Sequence, residues 1–257
     1  MKLEARYVEK PWGRRRLPYN LAPPPGQRIG EIWFGSDPNL PLLAKYLFTS
    51  EKLSVQVHPN DEEAQARGSP RGKAECWYVL DAEPGATIGL GLRHSLSREE
   101  LRSAALDGSI MDAIDWHPVS AGDFFYVPPG TIHAIGEGIA LLEVQQNSDV
   151  TYRLYDYGRP RDLHLDDAVA VLSLRPYPER LFQHVRKEER AVLVDGPKFT
   201  LVHTHGDEWE DRKRWILLLE GSARCNGETA KAGECLLLNA SDSLLVNDAR
   251  LLIAAPC

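Results

Sequence analysis

The sequence predicts an all-β fold of the sandwich or barrel type, interrupted by a small helical insertion. Three observations carry that expectation. Apolar runs are short, they are rich in residues that fit a pleated sheet, and 20 glycines and 18 prolines punctuate them at roughly the spacing of successive strands. Taken in order, the strands are expected at Leu42–Leu47, Leu53–His58, Glu75–Leu80, Asp123–Val127, Ala140–Gln145, Thr151–Tyr155, Phe199–His203, Arg214–Leu219 and Glu234–Leu238. Two stretches read as helix instead. Ser97-Arg98-Glu99-Glu100 is a capping box, in which the serine oxygen accepts a backbone N–H three residues on and the glutamate reaches back. Leu96, Leu101, Ala104 and Ala105 continue a partial helical stripe, and a second short helix is expected over Ser109–Ile114, so the insertion covers about 96–116. A third helix is expected at Leu165–Leu174, opened by Asp162 or His164 and closed before Pro176.

Composition narrows the function. At 257 residues, with 43% hydrophobic and 26% charged residues, the chain can build a sizeable core as one large domain or two small ones. The net charge of −7 argues against nucleic acid or an anionic membrane as the main partner, because both reward positive charge. The basic run Arg14-Arg15-Arg16 reads as a solvated loop. No signal-peptide pattern and no membrane-length apolar run occurs in the sequence. Cys76, Cys225, Cys235 and Cys257 form no Cys-x-x-Cys pair and suit a reducing compartment, so the cytoplasm is the expected location.

An internal echo suggests a repeated β unit. Gly122-Asp123, four apolar residues and a turn at Pro128 precede Gly130 and His133. Gly233-Glu234, four apolar residues and a turn at Asn239 precede Ser241 and Leu244. The second copy therefore carries leucine where the first carries histidine.

The first copy belongs to a constellation with metal-ligand chemistry. Strand alternation turns Gln56 and His58 to one face and Val55 and Val57 to the other. By the same rule Lys73, Glu75 and Trp77 share a face. His133 follows directly on a Pro-x-Gly turn. An amide oxygen, two imidazoles and a carboxylate make a borderline nitrogen–oxygen donor set, for which zinc is the natural occupant. His94, His117, His164 and His184 read as ordinary polar residues. Asp149 and Arg153, four apart, can meet on one face, where the cation would keep the carboxylate ionised. Glu143 is a second acid nearby; Lys45, Lys52 and Ser54 flank the metal strand, where the two lysines read as solvated strand ends.

These motifs carry a resemblance. Gly122-x5-Pro128-x-Gly130-x2-His133 resembles the second cupin motif, with Glu137 where that motif ends in asparagine. The first cupin motif usually reads His-x-His. Here it is Gln56-x-His58, followed by Gly72-Lys73-Ala74-Glu75, which looks like the type I mannose-6-phosphate isomerases in their short bacterial form. Further similar segments are Lys10-Pro11-Trp12-Gly13, Gly30-Glu31-x-Trp33, the stretch from Glu51 to Pro59 and the stretch from Glu143 to Arg153.

The resemblance implies two cupin-like jelly-roll barrels. A metal-binding catalytic domain is expected at 1–160 and a degenerate second domain at 161–257. It implies one zinc per chain held by Gln56, His58, Glu75 and His133, with Arg153, Asp149 and Lys73 catalytic and Lys73 and Glu143 on the substrate. The implied reaction interconverts mannose 6-phosphate and fructose 6-phosphate by proton transfer through an enediolate, so the expected partner is a small sugar phosphate. His203-Thr204-His205 is expected to be a decoy, since residue 244 offers no ligand. Two other classes compete: a non-catalytic sugar-binding or regulatory cupin, and a metal cupin oxygenase. Gln56 counts against the oxygenase, which would want a further histidine.

Overall fold

The computed structural model describes residues 1–257 except 19, 20, 22, 36 and 210. The first part runs β1 (Ala5–Arg14), β2 (Ile29–Phe34), β3 (Leu42–Phe48), β4 (Val55–Val57), α1 (Asp61–Gln65), β5 (Glu75–Ala82) and β6 (Thr87–Leu92). The insertion follows as α2 (Arg98–Asp107) and α3 (Ile110–Ala113). Next come β7 (Ile114–Pro118), β8 (Asp123–Val127), β9 (His133–Ile135), β10 (Ile139–Gln146), β11 (Tyr152–Tyr155), α4 (Leu165–Val171) and β12 (Phe182–His184). The chain ends with β13 (Ala191–Asp195), β14 (Phe199–Thr204), β15 (Arg214–Cys225), β16 (Glu228–Lys231), β17 (Cys235–Leu238) and β18 (Leu245–Pro256).

Three antiparallel sheets result. The order β1-β2-β3-β10-β5-β8-β12 forms a seven-stranded sheet, and β11-β4-β9-β6-β7 forms a five-stranded one. The third sheet runs β13-β14-β18-β15-β16, with β17 also paired to β15. Alternation along the strands sorts the apolar residues into layers. Trp77, Val79, Phe125 and Leu141 of the seven-stranded sheet meet Ile88, Leu90 and Ile135 of the five-stranded one, filling the first barrel. The intervening Cys76, Tyr78, Phe124 and Leu142 face the other way, onto Leu201, Trp215, Leu217 and Leu252 of the third sheet. The outer face of the five-stranded sheet, with Val55 and Val57, is covered by Leu101, Ala105 and Ile110 of the insertion and by Ala168 and Val171 of α4. The third sheet curls around its own core of Val202, Ile216, Leu218, Leu236, Leu251 and Ile253.

All nine expected strands are present, most with ends shifted by a residue or two and two of them extended. β4 begins later than expected, and β15 continues to Cys225. The capping box at Ser97 forms as expected: Ser97 Oγ accepts from Glu100 N at 3.2 Å, and Glu100 Oε2 accepts from Ser97 N at 2.8 Å. The insertion ends at Ala113, before 116, because Ile114 is already the first residue of β7. Nine strands and α1 escape a reading by local pattern, among them β1, whose charged residues mask its period. Two elements beyond residue 160 serve the first barrel: α4 packs on its outer face, and β12 pairs with β8.

The internal echo is a structural repeat. Gly122 N donates to Val79 O and Gly233 N to Leu218 O, each at 2.9 Å. Asp123 accepts from Ser120 N at 2.8 Å and Glu234 from Lys231 N at 2.9 Å. In register, Glu75 faces Val127 across β5 and β8, while Arg214 faces the corresponding Leu238 across β15 and β17.

Candidate active site

The candidate ligands are brought together by adjacent strands. Gln56 on β4 pairs in register with His133 at the start of β9. Gly130 ends the turn before His133 with φ of +81°, a left-handed conformation that glycine adopts without strain, and a Cβ there would sit 3.0 Å from Val171 O. Glu75 opens β5 on the opposing sheet.

His58, Glu75 and His133 are buried, and their candidate ligand atoms lie within 4.8 Å of one another. His58 Nδ1 donates to Val150 O at 2.8 Å, and His133 Nδ1 donates to Thr131 O at 2.9 Å. Each ring therefore turns an unprotonated Nε2 to the centre, where Lys73 Nζ lies 3.1 Å from that of His58. His58 Nε2 lies 3.5 Å from one oxygen of Glu75, and His133 Nε2 lies 3.3 Å from the other. The carboxamide of Gln56 reaches His133 Nε2 at 3.2 Å.

Electrostatics match that geometry. Burial, with the ammonium of Lys73 beside it, lowers His58 from 6.5 to about 4, and burial also lowers His133. Burial alone would raise Glu75, but Lys73 and the two imidazoles hold its carboxyl well below the ordinary range. Lys73 Nζ meets Glu75 Oε2 at 2.5 Å, while Oε1 takes no hydrogen bond among the described residues. A buried carboxylate with one oxygen free of donors, facing two unprotonated nitrogens, is a donor set that a divalent cation satisfies. Among the described residues this is the one His/Cys/Asp/Glu cluster with metal-ligand spacing.

Glu75 lies on the wall of a cavity of about 830 Å³, shared by Gln56, Lys73, Glu143, Asp149 and Arg153. His58 and His133 are not on that wall, but each contacts Glu75. Lys73 is buried. Burial would lower it, but Glu75 and Glu143 raise it above its ordinary value, so it is an ammonium. Glu143 is buried 3.2 Å from Lys45 and 3.8 Å from Lys73. Arg153 donates to Asp162 O at 2.8 Å, and its Nε is buried with no partner.

The Asp149–Arg153 pair that spacing suggested does not form among the described residues. Asp149 is exposed at the cavity, while Arg153 turns to Asp162. Lys45 is no solvated strand end: it is buried against Glu143 and Gln145 and lies over the Trp33 ring at 5.0 Å. Lys52 lies instead over Trp116. Sequence reading missed Arg6, Lys10, Glu31 and Trp33 on the cavity wall. The i, i+4 spacing of Arg6 and Lys10 would have placed them on one face, had β1 been recognised.

In the second barrel, Arg214 takes the register position of Glu75, and Leu244 that of His133. The guanidinium is fully buried and held by Asp207 through two bonds of 3.0 and 2.7 Å. His203 is buried, with Nδ1 donating to Glu189 O, and stacks on Tyr78 at 6.0 Å.

Two antiparallel β-barrels, the first with a buried His-Glu-His cluster that is the one candidate metal centre among the described residues, define a cupin-like protein. No family model matches the chain. Over 169 residues it is 44% identical to a mannose-6-phosphate isomerase of Streptococcus mutans, covering 63% of this chain and 53% of that protein. Over 174 residues it is 43% identical to the mannose-6-phosphate isomerase ManA of Bacillus subtilis, covering 62% and 55%. The matched part of the chain thus spans about half the length of these relatives. The crystal structure of the Bacillus subtilis mannose 6-phosphate isomerase superposes with a TM-score of 0.80 and 26% identity over 98% of both chains. A zinc-bound mannose 6-phosphate isomerase shares the fold, with a TM-score of 0.76 at 17% identity over 99% of this chain and 98% of that one. In sequence over about half the length of these relatives, and in fold over nearly the whole chain, the protein is similar to mannose-6-phosphate isomerases.

Proposed function

We propose that this chain is a zinc-dependent aldose–ketose isomerase interconverting mannose 6-phosphate and fructose 6-phosphate in the cytoplasm. The observation that carries the reading is the His58–Glu75–His133 cluster, whose Glu75 lies on the wall of a cavity shared with Gln56, Lys73 and Glu143, in a chain similar to mannose-6-phosphate isomerases. Gln56, His58, Glu75 and His133 would hold one zinc ion, in keeping with the zinc-bound neighbour. When bound, the ion supplies Lewis acidity that polarises a carbonyl.

The reaction moves a proton from C2 to C1 of the open sugar, and negative charge develops on oxygen as it leaves. Arg153 suits that charge: it cannot lose its proton, Asp162 O anchors one end, and Nε keeps a free donor. Lys73 offers an ammonium for a sugar oxygen. Glu143 offers an acceptor for a hydroxyl, and Asp149, exposed on the cavity wall, suits a base in ring opening or proton transfer. Arg6 and Arg71 line the same cavity with no carboxylate partner among the described residues, and so suit the phosphate.

Four units of architecture follow: a metal-bearing first barrel, its helical insertion, a joint, and a second barrel without metal. The division drawn from sequence falls at residue 160. The packing of α4 and β12 on the first barrel supports moving it past His184.

A coupled assay with mannose 6-phosphate tests the activity, run on chelator-treated protein and on the same sample restored with zinc. Turnover that returns with zinc supports the reading. Sugar-phosphate binding without turnover would make the chain a non-catalytic cupin.

A further inference from the structure

The segment Gly72–Glu75 carries both Lys73 and Glu75, and its three successive N–H groups are each held from outside the segment. Gly72 N donates to Asp61 Oδ1 at 2.7 Å, Lys73 N to Pro59 O at 3.0 Å, and Ala74 N to Gln146 Oε1 at 2.9 Å. The last strand residue of β10 closes the arrangement: Gln146 Nε2 donates to the same Asp61 Oδ1 at 3.0 Å. The segment also lies directly on the chain after His58. A Cβ at Gly72 would stand 2.4 Å from the carbonyl carbon of Asn60, so only glycine permits this approach.

Asp61 is thus the hub that ties the chain after His58 to the chain before Glu75. Its second oxygen is held from the other barrel, where Lys198, just before β14, meets Asp61 Oδ2 at 2.6 Å. Lys198 is 137 residues away and not on the cavity wall.

We propose that Lys198, Asp61 and Gln146 form a positioning clamp through which the second barrel sets the placement of Lys73 and Glu75. Lys198 orients the Asp61 carboxylate. Asp61 and Gln146 then fix the backbone on either side of Lys73, and the ammonium inherits that placement. This gives the metal-free barrel a part in the reaction while it contributes no residue to the cavity wall through Lys198. The proposal rests on the isomerase reading for its kinetic consequence and stands independently of it for the structural one.

The test uses the full zinc-loaded chain and four variants: Lys198→Met, Lys198→Arg, Asp61→Asn and the double variant Lys198→Met with Asp61→Asn. Lys198 and Asp61 are both partly exposed, so these changes leave the cores intact. Misplacing a reacting group by a fraction of an ångström lowers rate rather than binding, so Lys198→Met is expected to lower kcat about tenfold with KM within about twofold. Lys198→Arg restores most of the loss. Asp61→Asn keeps the acceptor for Gly72 but drops the charge, so it matches Lys198→Met, and the double variant is no worse than either. Amide hydrogen exchange at Gly72–Ala74 gives a second readout that needs no activity: Lys198→Met and Asp61→Asn exchange severalfold faster there than the wild type. Faster exchange in Lys198→Met and Asp61→Asn, with no isomerase activity in the wild type, would uphold the clamp and sink the activity. Unchanged exchange with unchanged kcat in Lys198→Met would overturn the clamp. A lower melting temperature with unchanged kcat would overturn it as well, leaving a plain ion pair between barrels.

Discussion

Burial of His58 makes a specific demand on pH behaviour. In the unfolded chain its imidazole titrates near 6.5, and in the folded, metal-free protein near 4. Between these values the unfolded state binds the extra proton and the folded state does not, so stability falls as pH falls. The contribution is fully present above 6.5 and fully lost below about 4. At pH 5 the loss relative to pH 8 is about 2 kcal/mol from this one group, rising to about 3 kcal/mol at the acid end. His133 is lowered by the same burial and adds in the same direction. The assay is urea unfolding of chelator-treated protein at pH 8 and pH 5, comparing wild type with His58→Gln. The wild type should lose about 2 kcal/mol more than the variant between the two pH values. A second consequence concerns the metal. Coordination needs neutral imidazoles; burial lowers His58 to about 4 and lowers His133 as well, so zinc should be released at a lower pH than from a site of exposed histidines. Equal pH slopes in wild type and His58→Gln would refute the reasoning, because they would show an imidazole that titrates as freely in the fold as out of it.

His133→Ala should remove a full equivalent of zinc by elemental analysis, whereas His203→Ala with His205→Ala should leave zinc and turnover largely intact. Unchanged zinc in His133→Ala would sink the ligand assignment. Arg153→Ala should keep its zinc while kcat falls by roughly 10²–10³, with Arg153→Lys recovering part of the loss. Normal kcat at full zinc would remove Arg153 from the chemistry. Asp207→Ala should destabilise the protein by about 3–5 kcal/mol in urea unfolding, since it leaves the fully buried Arg214 without its carboxylate. A loss below about 1 kcal/mol would mean that the guanidinium finds water or another partner.

The sequence by itself determined what depends on a few neighbouring residues. Alternation along β4 put Gln56 and His58 toward the centre and the two valines under the helices, because successive Cβ atoms point to opposite faces. The capping box at Ser97 is a four-residue device and formed where it was read. The repeat at Gly122 and Gly233 was visible because both turns need the same backbone, and Leu244 already announced a second barrel without the ligand set. Tertiary structure alone decided the rest. Spacing allowed Asp149 to meet Arg153, but the chain after β11 offered Asp162 O to the guanidinium instead, and a local periodicity cannot weigh such competitors. Lys45 looked like a solvated end until β3 was buried between β2 and β10, where Glu143 and Gln145 compensate its charge. Arg214 in the position of Glu75, and Lys198 on Asp61, depend on register and packing between segments far apart in the chain. Those are set by how whole sheets bury their apolar faces, a global free-energy balance that no short window of residues contains.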